Sequence, residues 1–212
     1  MVKDMGAKKN NVKIGVPPMI GSFLFPNIFV GFRESFPEIN LEIYEYGTIE
    51  SRELLLKEEL DLVITTGERF KPNEINFNTI LKTSYGFYVG KESHLSKKEK
   101  ISFKDIKDEP LILFNKGFYI NRIVMKEFER LGVKSPKIIL ETGQVETLKK
   151  FISKGIAAGF LTKDCVEGSD NLIELPFDIP MPITIGLEWK KDQYLRSDVA
   201  NFIKYINKEY QL

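Results

Sequence analysis

The sequence predicts an α/β protein built from two successive units in which strands alternate with helices. Three observations carry this. Short apolar runs such as DLVITT (61–66) and PLILF (110–114) read as strands buried on both faces. Between such runs lie segments with apolar residues at helical spacing, as at Phe25, Ile28, Phe29, Phe32 and Phe36. The strand-helix order then repeats, and it favours parallel strands joined by right-handed crossovers.

The elements follow in order. VKIGV (12–16) reads as a buried strand, stopped by Pro17 and Pro18, which have no N–H for a ladder. A helix runs from Phe25 to Phe36 and ends at Pro37. Pro26 is either its first residue or an early kink. LEIYEY (41–46) alternates apolar and polar and predicts a half-exposed strand. Residues 49–60 form a helix and 61–66 a strand. GFYVG (86–90) is a strand, and HLSKKEKIS is a polar loop. PLILF (110–114) is a strand and 117–132 a helix stopped by Gly132. KIILE (137–141), a helix over 145–155 and IAAGFLT (156–162) continue the alternation. Strand 183–189 and helix 197–210 close the chain.

Composition narrows the function classes. The 212 residues and 42% hydrophobic content suit one large domain or two small ones with a sizeable core. Charge is balanced, with 31 Lys+Arg against 30 Asp+Glu, so bulk cationic binding to nucleic acid is excluded. A single cysteine, Cys165, excludes an internal disulfide and a cysteine-rich zinc site. No run of about 18 apolar residues is present, so no membrane span is predicted. Residues 1–11 are polar and aperiodic. They read as a linker or cloning remnant, disordered at its start. No secretion signal is seen, and the expected location is cytoplasmic.

An ordered series of motifs then resembles a known family. Phe32-Arg33-Glu34-Ser35-Phe36-Pro37 closes the first helix, Gly47-Thr48 makes a turn, and Leu60-Asp61-Leu62-Val63-Ile64 leads into a strand. FYVGKESHLSKK, LILFNKGFYINRIVMKEFERLG and VETLKKFISKGIAAGFLTKDCV follow in the same order. Together they resemble the effector-binding domain of LysR-type transcriptional regulators over about residues 12–210. The family's winged helix-turn-helix and linker helix have no counterpart here. The turn Pro17-Pro18-Met19 also departs from the polar residues that many members carry.

The resemblance implies a fold like type 2 periplasmic binding proteins, two Rossmann-like subdomains joined by two crossover strands. The first would hold 12–84 and 188–212, the second 85–187. A small-molecule effector, an anion among the options, would lie in a cleft near the carboxyl ends of the strands, where open parallel sheets bind ligands. DNA contact would belong to the missing N-terminal part. The resemblance also implies an antiparallel homodimer, with a higher oligomer in a full-length regulator.

That placement selects the candidate residues. Pro18, Met19, Ile20, Gly21 and Ser22 follow the first strand. Ser22 either caps a helix or offers its hydroxyl to a ligand, and Gly21 permits close backbone approach. Thr48 either caps the second helix or contacts ligand. Thr65, Thr66 and Gly67 end the third strand. Gly117, Phe118 and Tyr119 open a helix in the second subdomain. Arg122, one turn in, either reaches an anionic guest or pairs on the surface with a Glu. Leu161 and Thr162 end the strand after Gly159.

Catalysis finds little support. His94 is the only histidine and lies in a charged loop, and no metal-ligand spacing, cofactor motif or nucleophile triad appears. No cofactor is expected. Two other readings are a free-standing cytoplasmic solute-binding protein of the same fold and an enzyme on that fold. For assembly, Leu24 and Val30 lie off the helical stripe, and the alternating strand 41–46 adds Leu41, Ile43 and the exposed-face Tyr44 and Tyr46. They predict a partner surface in which Val30 or Arg33 meets helix 145–154 of a second copy.

Overall fold

A computed structural model describes residues 10–66, 72–169 and 171–210. It divides into two compact units. Unit 1 takes the chain through Tyr46, Glu50–Leu81 and the stretch from Ile185 onward; unit 2 takes Gly47–Ile49 and Lys82–Thr184. Each is an α/β unit, and two strands run from one unit into the other.

In unit 1 the order begins β1 (Asn11–Gly15), α1 (Pro18–Phe23), α2 (Phe25–Ser35), β2 (Asn40–Tyr44), α3 (Thr48–Leu56) and β3 (Leu62–Thr66). β4 (Ile75–Gly90) leaves the unit. β9 (Met181–Lys190) returns to it, and α7 (Ser197–Glu209) completes it. The strand order is β2-β1-β3-β9-β4. β1 pairs in parallel with β2 and β3, as the β-α-β-α-β order requires. β9 runs antiparallel to β3. Every residue of the inner strand β3 is buried, whereas the edge strand β2 alternates.

Aromatic packing seats the flanking helices. Phe32 of α2 meets Phe202 and Tyr205 of α7 at ring distances of 4.8 and 5.5 Å. At the base of the sheet, Arg196 holds Asp61 at 2.8 Å and donates to Asn11 O at 3.0 Å. Asp198 accepts from the Asn11 amide at 3.3 Å. These bonds tie the starts of β1, β3 and α7 together, and the Asp61 carboxylate raises the guanidinium pKa further above its ordinary value. Asn11 is therefore a structural residue and not linker.

Unit 2 contains the far half of β4, then β5 (Leu111–Phe114), α4 (Tyr119–Arg130), β6 (Ile138–Thr142), α5 (Val145–Ser153), β7 (Ala158–Thr162), the short α6 (Lys163–Val166) and β8 (Leu172–Leu175). Its strand order is β8-β4-β7-β5-β6. β5 is parallel to β6 and β7, while β4 is antiparallel to β7 and β8. Phe87, Phe103, Phe160 and Phe177 form one aromatic core, with ring distances from 4.9 to 5.7 Å. Gly132 stops α4 with φ +74°, a conformation only glycine adopts at little cost.

Three local expectations are corrected. The helix predicted from Phe25 has a six-residue forerunner, α1, which the prolines begin instead of preventing. Pro18 sits in the first turn, where its missing N–H costs nothing. Pro26 then interrupts α1 from α2, because its ring cannot bond to the carbonyl of Ser22 and crowds it. The polar loop after β4 contains a 3₁₀ turn, His94–Lys97, that buries Leu95. Leu24, expected off the buried stripe, is itself buried.

Candidate effector site

In unit 1 the turn after β1 differs from its expected form. β1 ends at Gly15, and the Val16 amide donates to Tyr44 O at 2.8 Å. Gly21 is not a bare amide, because it donates to Pro17 O at 2.9 Å inside α1. Nor does close approach require a glycine there. A side chain would meet Glu45 and Val16 at 3.9 Å, ordinary contact. Ser22 is not a helix cap: it lies in the last turn of α1 and donates its hydroxyl back to Met19 O at 2.8 Å. Met19 and Ile20 are buried, and Pro18 is half-buried at the head of the turn.

Thr65 and Thr66 end β3, both buried. Gly67 lies outside the described residues. Alternation along β3 puts Thr65 on the same side as Val63, which packs against Leu55 of α3. Ser51, one turn before Leu55, shares that layer. Among the described residues, the hydroxyls of Ser51 and Thr65 are the buried side-chain polar atoms without a hydrogen-bond partner. Such groups cost stability, so they mark this end of the α3–β3 layer as polar by construction.

In unit 2 the structure brings several candidates together. Gly47 lies against the turn that opens α4: a Cβ there would stand 2.5 Å from Gly117 O and 2.7 Å from its carbon. Glycine at 47 is thus required by a backbone approach. The Ile49 amide donates to Gly117 O at 3.5 Å, and Thr48 between them is buried. Thr48 is the first residue of α3, not the residue before it. Phe118 precedes α4 in extended conformation and stacks on Phe114 with centroids 5.1 Å apart. Tyr119 begins the helix.

Leu161 and Thr162 are fully buried at the end of β7. The Thr162 hydroxyl lies 3.2 Å from Cys165 Sγ, a packed thiol. Nearby, Tyr88 lies 3.2 Å from Glu174, and burial in first place, then that carboxylate, pushes its phenol well above the usual range. Thr83 donates to Asp164 at 2.7 Å. These polar groups are internally matched.

Arg122 lines a groove of about 650 Å³ beside α4 and β6. Lys116, Met125, Ile138 and Glu141 also line it. Asn121, almost wholly buried, donates to Phe114 O at 2.7 Å and to Glu141 Oε1 at 2.9 Å. Sequence reasoning found Arg122 but missed Asn121 and Glu141. The one available signal was Asn121 itself, a polar residue beside the apolar stripe Ile120, Val124 and Phe128, with which it is buried.

Comparison with known proteins gives a consistent result. The family model described as LysR substrate binding domain matches residues 6–211. An uncharacterized HTH-type transcriptional regulator of Bacillus subtilis (strain 168), YwbI, is 31% identical over 196 residues, covering 90% of this chain and 64% of YwbI. The chain thus spans less than two thirds of that relative's length. The regulatory domain of CcmR from Synechocystis PCC6803, solved in complex with 2-PG, superposes with a TM-score of 0.84 at 20% identity, over 95% of this chain and 97% of that one. The effector binding domain of QuiR, in complex with shikimate, gives 0.80 at 19% identity, over 94% and 96%. At these identities the structural likeness establishes the fold.

Proposed function

The chain belongs to the LysR substrate binding domain family, and on that premise we propose that it is the effector-sensing part of a transcription regulator. The observation that carries the proposal is the family match over residues 6–211, nearly the entire chain. The role is binding, not catalysis. His94, the only histidine, is a surface residue 3.2 Å from Glu109. As part of a transcription regulator the protein is placed in the cytoplasm, with the DNA it would control; among the described residues no helix is long and apolar enough to cross a membrane.

The effector is a small molecule, with an acid the first class to try. In unit 2 its contacts are Thr48 and the Gly117–Tyr119 turn, where Gly47 lets two backbone segments meet. DNA contact belongs to a part of the regulator outside this chain, whose net charge of +1 offers little to phosphates. A ligand changes the regulator only by its differential affinity for two states, typically about 1–3 kcal/mol. We also assign a homodimer. Phe29 and Val30 of α2 and Ile43 of β2 are exposed apolar residues of one unit, suited to cover α5 of a second copy.

A thermal-shift titration with small carboxylic and phosphorylated acids, 2-PG and shikimate among them, tests the proposal. A ligand at a hundred times its Kd stabilises by about 2.7 kcal/mol, an upward shift of about 5–11 °C for a domain of this size. A saturable shift for one member supports effector binding. Conversion of the added compound into another during incubation would overturn the binding role.

A further inference from the structure

We propose that the groove along α4 and β6 is a second ligand site, built for an apolar α-amino acid. The site goes beyond the effector reading and does not rest on it. Of the groove's lining, only Arg122 was among the candidates for the effector.

The groove is graded from one end to the other. Among the described residues β6 is an edge strand paired with β5, and its Ile138 and Glu141 line the groove. Glu141 near the end of β6 pairs with Leu113, and Asn115 donates to Thr142 O at 3.2 Å, which brings Lys116 to the same end. Arg122, in the first turn of α4, belongs there too. At the other end lie Met125, one turn further along α4, and Pro136 and Ile138 at the start of β6. Ile49, whose amide reaches Gly117 O next to Lys116, and Ser135, beside Pro136, complete the lining, so a mostly charged mouth leads into a mostly apolar trough.

The mouth holds two cations and one carboxylate, and the carboxylate is positioned. Asn121 is 4% exposed and uses its amide nitrogen on Phe114 O at 2.7 Å and on Glu141 Oε1 at 2.9 Å. A buried amide fixing a carboxylate at a groove wall is a preorganised acceptor. A guest with one negative and one positive group on neighbouring atoms matches this set. Its carboxylate faces Lys116 and Arg122, and its ammonium faces Glu141. An apolar side chain then lies on Met125, Pro136 and Ile138. The volume of about 650 Å³ lies within the range of small-molecule sites.

The test uses the 212-residue chain labelled with ¹⁵N and three probes: L-phenylalanine, 3-phenylpropionate, which lacks the ammonium, and phenethylamine, which lacks the carboxylate. Amide shifts are followed up to about 10 mM, a concentration that detects millimolar binding. L-Phenylalanine is expected to give saturable shifts at the amides of Lys116, Arg122, Ile138 and Glu141, with a Kd about tenfold below either truncated probe. Glu141→Gln should bring L-phenylalanine down to the affinity of 3-phenylpropionate. Arg122→Gln, at an exposed position that leaves the Asn121 bonds intact, should instead remove the advantage over phenethylamine. No saturable shift at these amides, equal affinity for all three probes, or variants that keep the wild-type ranking would each overturn the proposal.

Discussion

Replacing Arg52 by Met should destabilise unit 1 severely. Arg52 of α3 grips Glu188 of β9 through two parallel bonds, Nε to Oε2 at 2.8 Å and Nη2 to Oε1 at 2.5 Å. Their side chains are 8% and 0% exposed. Methionine keeps much of the volume but leaves Glu188 buried without its counter-ion. Removing one partner of a buried pair costs about 3–5 kcal/mol. At about 2–4 °C per kcal/mol for a chain of this length, the melting temperature should fall by about 6–20 °C. The single tryptophan, Trp189, follows Glu188 in β9 and reports unit 1 directly by fluorescence in a urea titration. The double variant Arg52→Met/Glu188→Leu removes both charges and should recover most of the loss, because an apolar replacement of a buried pair is close to neutral. A loss below about 1 kcal/mol for Arg52→Met would refute the reasoning, as would a double variant as unstable as the sum of the single ones.

Other outcomes follow from other parts of the molecule. Gly47→Ala should destabilise by about 1–3 kcal/mol, since its Cβ would strike the Gly117 backbone, whereas Gly117→Ala meets nothing within 4 Å; thermal melts that rank the two oppositely would contradict this. The Asp105 carboxyl is held well below the usual range by hydrogen bonds, first from Lys98 and then from the Ser102 hydroxyl and amide. Its folded value lies below its unfolded one, so its stabilisation is present above about pH 4 and is lost as pH falls further. A ¹³C titration that finds Asp105 in the ordinary aspartate range would remove that claim. Val30, 56% exposed on α2, should become a weak point of the dimer when replaced by Asp; sedimentation equilibrium should show dissociation, and a wild-type chain monomeric at tens of micromolar would contradict the dimer itself.

Much of the fold was legible because burial imposes period. β3, β5 and β7 are apolar runs buried throughout, and both the alternation of α and β and the parallel pairing followed from them. The failures have local causes. β4 is sixteen residues long, but its first ten, INFNTILKTS, are mostly half-buried and mixed in character, so only GFYVG carried a signal. α1 escaped because Pro17-Pro18 reads as a stop, although proline is at home in a first turn. The four-residue strand β8 owes its place to Tyr88 and Val89 of β4, partners more than eighty residues away. At the candidate site, Gly47 opposite Gly117 and Asn121 against Glu141 are contacts between separate segments, which no spacing along the chain reveals.

Native mass spectrometry of the purified chain, equilibrated with a small-molecule extract and then desalted, tests the sensing role most directly. The expected result is one small molecule held per protomer, released unchanged on denaturation and able to rebind. A chain that retains nothing from any extract, or that releases a chemically altered product, would contradict it.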